Sequence, residues 1–141
     1  MESHISTITH AIQLAVAPVF LLTAIATLIN VMSSRLSRIV DRRRVVDARR
    51  SDAADDDLRG ELAQLDRRSQ MIYFSIFSAV LSALLVCLVV AGAFVGALLA
   101  VDVAKLIAAL FVLAMTAMIV ALSLFLREVY LAVRAGGHRR L

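Results

Sequence analysis

Residues 71–101 read MIYFSIFSAVLSALLVCLVVAGAFVGALLAV and contain no Asp, Glu, Lys, Arg or His. A soluble domain is about 45–50% apolar, whereas this chain of 141 residues is 61% apolar and 18% charged. An α-helix rises about 1.5 Å per residue and the hydrocarbon core of a bilayer is about 30 Å thick, so this stretch is longer than a perpendicular crossing requires. The sequence therefore predicts an integral membrane protein in which this span tilts or protrudes.

Two further uncharged stretches, residues 11–31 and 106–126, are each long enough to cross a bilayer once. Only residues 102–105 separate the second stretch from the third, and so short a connection implies a tight antiparallel hairpin. The predicted fold is an all-α membrane protein with three transmembrane helices.

The distribution of Lys and Arg predicts the orientation, because positively charged loops resist translocation. Residues 32–70 contain ten arginines and the basic tail, residues 127–141, contains four more, whereas Lys105 is the only basic residue of the 102–105 turn. With three spans, residues 1–10 and the turn are expected outside, and both arginine-rich segments in the cytoplasm.

The first stretch is interpreted as a retained membrane anchor. Glu2 precedes it and Arg35 follows it, whereas a cleaved signal peptide carries its positive charge before a shorter apolar region. The expected location is a bacterial plasma (inner) membrane.

The arginine-rich segment, residues 32–70, is predicted to form a cytoplasmic helical hairpin, because its apolar residues recur at helical spacing. The first helix is expected to continue to about Arg50, to turn in a polar, acidic run, and to return through Leu58, Leu62 and Leu65 into the second span. Ion pairs on a helix surface contribute only about 0.2–0.5 kcal/mol each. A narrow apolar seam must therefore hold the hairpin together.

The chain is basic, with a pI of about 10.2, and its predicted partner is lipid and not nucleic acid. The arginines alternate with acidic residues, and residues 32–70 contain no aromatic side chain on which a base can stack. Anionic lipid headgroups are the expected partner. The residues assigned to a cytoplasmic vestibule or to lipid binding are Arg35, Arg38, Asp41 and Arg42.

Catalytic chemistry is not expected. Cys87 is the only cysteine, and the three histidines lie outside the spans, so neither a nucleophile–base pair nor a metal-ligand cluster can be assembled. The prediction is a protein that is not an enzyme, without a cofactor and without a metal site.

Neutral polar residues of the first span fall on one line. Alternate steps of four and three residues follow one face of a helix, and eight of the ten residues on this line are polar. We call this line the polar stripe: Thr9, Gln13, Val16, Phe20, Thr23, Thr27, Asn30, Ser34, Ser37 and Asp41.

Two arrangements remove the polar stripe from lipid. In the first, identical chains assemble about an axis with their first helices innermost, and Val16 and Phe20 form an apolar constriction in a water-filled pore. In the second, the stripe bonds to serines on the other two spans of its own chain. Gln13 favours the pore, since those spans offer almost no polar partner at its depth. The residues predicted to line the pore are Gln13, Val16, Phe20, Thr23, Thr27, Asn30 and Ser34.

The function predicted from these observations is a pore-forming subunit of a homo-oligomeric ion or small-solute channel. The alternative is a non-conducting membrane scaffold or accessory protein, whose arginine-rich hairpin binds a partner or anionic lipid. The glycine pair Gly92 and Gly96 permits another helix to approach closely. The sequence does not decide whether that helix is the third span of the same chain or belongs to a second copy.

Two runs of sequence carry a resemblance to a known family. Residues 15–22 read AVAPVFLL and residues 34–42 read SRLSRIVDR. With these runs the chain resembles a family of small three-span bacterial inner-membrane proteins that is catalogued as a domain of unknown function. The resemblance implies three spans in a bacterial inner membrane, and it implies no activity, ligand or site residue.

Overall fold

A computed structural model describes residues 2–50, 56–99 and 101–137 of the chain. It contains three helices in this described part: α1 (Glu2–Arg50), α2 (Asp56–Leu99) and α3 (Ala104–Gly137). Each helix is long and apolar enough to cross a membrane. The all-helical fold with three candidate spans therefore agrees with the prediction from the sequence.

The predicted helical hairpin of residues 32–70 is not a separate element. Its two arms are the continuous ends of α1 and α2, and neither helix is interrupted where its apolar stretch meets the charged segment. The physical reason is that residues 32–50 and 56–70 contain no Pro and only one Gly, Gly60, so nothing within either arm interrupts a helix. The predicted turn falls largely on residues 51–55, which lie outside the described residues.

The connection between α2 and α3 is placed slightly earlier in the chain than the predicted turn. The amide of Val101 donates to the carbonyl of Gly96 at 3.2 Å, just after α2 ends at Leu99. Asp102 accepts a hydrogen bond from the amide of Ala104 at 3.1 Å through Oδ1. A short acidic side chain in this position accepts a hydrogen bond from an amide that otherwise has no partner at the start of a helix. The helix α3 therefore begins within the predicted turn.

The core of the bundle follows a seven-residue period. On α1 the buried apolar side chains are Ile25, Met32, Ile39 and Val46, one in every seven residues. On α3 the buried residues Ala114, Ala121 and Glu128 have the same spacing. Helices that pack through a seven-residue repeat keep one face turned toward their partner. The helix α2 lies between the other two and contacts both.

The end of the bundle where α1 ends and α2 begins, which we call the charged end, is held by a narrow apolar seam. Ile39 and Val46 of α1 are buried with Leu62 and Leu65 of α2 in one cluster. Two ion pairs flank this seam, Arg42 with Glu61 at 2.8 Å and Arg43 with Asp66 at 3.0 Å, and their side chains are partly exposed. Exposed pairs contribute about 0–1 kcal/mol each, so apolar burial stabilises this end more than the ion pairs do.

Three serines of α2 bond to the backbone of α3. Ser75 donates to the carbonyl of Ala121 at 2.6 Å, Ser78 to that of Ala117 at 3.0 Å and Ser82 to that of Ala114 at 2.8 Å. Hydrogen bonds of this kind between membrane helices average about 0.6 kcal/mol each. These serines are therefore committed to the α2–α3 contact and do not partner the polar stripe.

The G-x-x-x-G pair lies on the α3 side of α2. A Cβ built on Gly96 collides with the side chain of Val103, whereas a Cβ on Gly92 comes to an ordinary 3.9 Å from Cγ1 of Ile107. The close approach at Gly96 is thus to the start of α3 in the same chain.

The difference between the two glycines predicts opposite effects of alanine. Gly92→Ala should leave thermal stability unchanged or raise it, because alanine favours a helix over glycine by up to about 1 kcal/mol. Gly96→Ala should lower the Tm, because Val103 has to move. Thermal unfolding followed by circular dichroism in mild detergent measures both. An equal or higher Tm for Gly96→Ala would contradict the packing described.

Candidate functional site: the polar stripe and the Glu128 cluster

The polar stripe lies on the side of α1 that the described part of its own chain leaves exposed. The buried residues Ile25, Met32 and Ile39 mark the face packed on α2, and the steps of the stripe fall roughly on the opposite side of the helix. Phe20 is 71% exposed and Val16 is 44% exposed. The polar residues of the predicted pore lining are also exposed: Gln13, Thr23, Thr27, Asn30 and Ser34.

The hydroxyl groups of the stripe are mostly satisfied by their own helix. Thr23 donates to the carbonyl of Val19 at 3.0 Å and Thr27 to that of Thr23 at 2.9 Å. Thr9 and Ser37 make the same bond to the residue four earlier. A hydroxyl bonded in this way tolerates an apolar environment. These residues alone do not require water.

The two carboxamides of the stripe are different. Gln13 and Asn30 make no side-chain hydrogen bond to any residue in the described part of the chain. Transfer of an amide from water to an apolar medium without a partner costs roughly 2–7 kcal/mol. Gln13 and Asn30 are about 25 Å apart along α1, at a rise of 1.5 Å per residue. Both ends of the apolar part of α1 therefore present a group that needs a partner beyond the described residues.

A buried carboxylate joins the three helices near the charged end. Glu128 of α3 is only 1% exposed and accepts from Nη1 of Arg35 on α1 at 3.3 Å and from Nη2 of Arg68 on α2 at 2.9 Å. The guanidinium of Arg35 also lies 5.4 Å from the ring centroid of Phe125. We call Glu128, Arg35 and Arg68 the Glu128 cluster.

The Glu128 cluster carries one negative and two positive charges. The side chains of Arg35 and Arg68 are 41% and 21% exposed, so both cations keep contact with solvent while the carboxylate does not. A carboxylate in such a place is stable only while it is paired. The cluster therefore fixes the axial positions of the helices relative to one another.

Glu128 was not singled out from the sequence. The one sequence signal that marks it is that it is the only acidic residue after Asp102, whereas its place one seven-residue step after the buried Ala121 is seen only in the structure. Of the residues assigned to the vestibule or lipid binding, Arg35 is tied to Glu128 and Arg42 to Glu61. Arg38 and Asp41 are exposed.

Removal of the buried charge predicts a large loss of stability. Glu128→Gln keeps the shape of the side chain but leaves two arginines without their counter-ion. Breaking a buried pair costs about 3–5 kcal/mol, and we expect about 3 because the side chains of Arg35 and Arg68 are 41% and 21% exposed. Asp66→Asn is the control, since its ion pair is half exposed and should contribute about 0–1 kcal/mol.

Denaturation of both variants in mild detergent compares the two effects. An exposed ion pair contributes about 0–1 kcal/mol. If the free energy of unfolding of Glu128→Gln lies within about 1 kcal/mol of that of the parent chain, the Glu128 cluster does not hold the three helices together.

These features define a class of protein. The chain is a multi-pass membrane protein whose described residues form three helices, with a charged helical extension at one end and an ionic contact that joins these helices. Within that class, the chain belongs to the family described as protein of unknown function (DUF2721), whose family model matches residues 15–137. No curated protein and no solved structure matches the chain. The match agrees with the resemblance to a family that is catalogued as a domain of unknown function.

Proposed function

We propose that this protein is the pore-forming subunit of a homo-oligomeric channel for ions or small solutes, with α1 lining the pore. The observation that carries the proposal is the exposed polar stripe, whose carboxamides at Gln13 and Asn30 have no partner among the described residues. A ring of chains with α1 innermost gives both groups water or a symmetry copy as partner.

The exposed faces of the other two helices suit the outside of such a ring. Large apolar side chains cover them, among them Phe74 and Phe94 of α2 and Val112 and Ile119 of α3, each more than half exposed. Apolar side chains of this kind contact lipid without a cost in free energy. The stripe turned toward lipid, by contrast, leaves each carboxamide unsatisfied at a cost of several kcal/mol. The arrangement with α1 at the axis is therefore the favourable one.

Phe20 and Val16 supply the constriction. They lie on the stripe between the polar positions Gln13 and Thr23, and Phe20 is the more exposed of the two. A ring of apolar side chains in a narrow aqueous passage excludes water and so blocks ions until it widens. The proposed closed gate is therefore at Phe20, in the half of α1 away from the charged end.

The orientation proposed is N-terminus outside and C-terminus in the cytoplasm of a bacterial inner membrane, because the arginines concentrate at the charged end. In that orientation the charged end is the cytoplasmic mouth, where Arg38 and Asp41 are exposed. The excess of arginine there raises the local concentration of anions. Anionic lipids of the inner leaflet are the proposed lipid partners.

Replacement of the proposed gate predicts a change in conduction. Phe20→Ala removes the apolar ring, so channels reconstituted in a planar bilayer should open more often or pass larger unitary currents than those of the parent protein. The control is Phe94→Ala, which removes another exposed phenylalanine from the lipid-facing side of α2. It should leave the currents as they are.

Two outcomes would contradict the proposal. One is the absence of unitary currents from protein that is helical and oligomeric in the same membrane. The other is an equal change in current for Phe20→Ala and Phe94→Ala.

A further inference from the structure

A cavity of about 400 Å³ lies between α2 and α3 at the charged end. Four of its lining residues are arginines: Arg67 and Arg68 from α2, and Arg127 and Arg134 from α3. Arg67 and Arg68 lie four and three residues before the uncharged stretch 71–101, and Arg127 directly follows the stretch 106–126, so the cavity begins where the apolar part of the bundle ends. Gln64, Met71 and Leu131 complete the lining.

Most of this positive charge has no partner within the described residues. Arg67 and Arg127 make no ion pair there. Arg134 is held over the ring of Tyr130, with its guanidinium carbon 5.0 Å from the centroid. Arg68 donates a hydrogen bond from Nη2 to Glu128, but its buried Nε has no acceptor in the described part of the chain. Glu128 thus balances one cation of the group, and the cavity stays positive.

An apolar groove continues from this cavity along the same two helices. It has a volume of about 360 Å³ and shares Arg67 and Met71 with the cavity. The other residues that line it are mainly apolar: Gln70, Phe74, Phe77, Ser78, Val120 and Leu124. From Val120 to Arg134 the combined depression extends about 21 Å along α3, at 1.5 Å per residue.

We propose that the cavity and the groove together bind one anionic phospholipid. Guanidinium groups bind phosphate oxygens through paired hydrogen bonds, so the headgroup phosphate lies among the four arginines. An acyl chain lies in the groove against Phe74, Phe77 and Leu124. Basic pockets between helices at the cytoplasmic membrane boundary have the chemistry that anionic headgroups require. This site is separate from the polar stripe and does not depend on conduction.

Two other occupants fit the same surface less well. A second copy of this chain would bring a further set of four arginines to a cavity that is already positive, and like charges at an interface are unfavourable. Free phosphate would use the arginines but would leave the apolar groove exposed. A phospholipid satisfies both halves of the site.

The test is lipid binding to the full chain in a neutral detergent, measured by native mass spectrometry during titration with phosphatidylglycerol or phosphatidylcholine. We expect phosphatidylglycerol to bind at least tenfold more tightly. The double variant Arg67→Gln with Arg127→Gln should weaken phosphatidylglycerol binding at least tenfold. Both positions are exposed, so their change removes no core contact. Circular dichroism checks that the variant remains helical.

The matched control is Arg44→Gln with Arg49→Gln, which removes the same charge from exposed positions on α1. It should weaken binding less than threefold. A third variant, Val120→Trp, fills the apolar groove without a change in charge and should also weaken binding of phosphatidylglycerol. In a separate competition experiment, soluble glycerol phosphate should not displace the lipid at equal concentration.

Three results would overturn the proposal. Equal weakening by the two double variants would mean that binding is general attraction to a basic surface. Equal affinity for the two lipids would exclude a site selective for an anionic headgroup, since both lipids carry a phosphate and only phosphatidylglycerol has a net negative charge. Competition by glycerol phosphate at equal concentration, with Val120→Trp unaffected, would assign the cavity to a free phosphate ester.

Discussion

The seam of Ile25, Met32, Ile39 and Val46 against α2 sets the rotation of α1 about its own axis. A helix that packs through one residue in seven has little freedom to turn, because rotation exposes the whole seam at once. The position of every other side chain on α1 follows from that constraint. The polar stripe is turned away from α2 and α3 since its residues occupy the opposite side of the same repeat.

The Glu128 cluster adds the axial constraint that the seam lacks. An apolar seam with a seven-residue repeat packs nearly as well after a shift of one repeat, whereas a buried carboxylate is paired in one position only. Arg35 and Arg68 therefore fix α1 and α2 relative to Glu128 of α3. Because Arg68 also lines the cavity between α2 and α3, the contact that fixes the bundle also positions the cationic site.

The sequence predicted the spans and the line of the stripe, because composition and the period of one helix contain that information. It did not predict how the helices rotate against one another. Hence it offered the serines of α2 as partners for the stripe, whereas Ser75, Ser78 and Ser82 bond to carbonyls of α3. Likewise the charge pattern assigns Glu128 to the basic tail, residues 127–141. Its burial depends on arginines distant by 93 and 60 positions in the chain, which no local pattern reveals.

Conduction through α1 requires that the stripe face water within the membrane, and thiol labelling tests this requirement most directly. In a Cys87→Ala background, Thr27→Cys and Ile119→Cys lie at matched depth, about 12–14 Å from the Glu128 cluster at 1.5 Å per residue. Both parent residues are exposed in one chain. In reconstituted vesicles, we predict that a charged, water-soluble thiol reagent labels the cysteine at position 27 and spares that at 119. Equal protection of both positions would contradict a stripe that faces water.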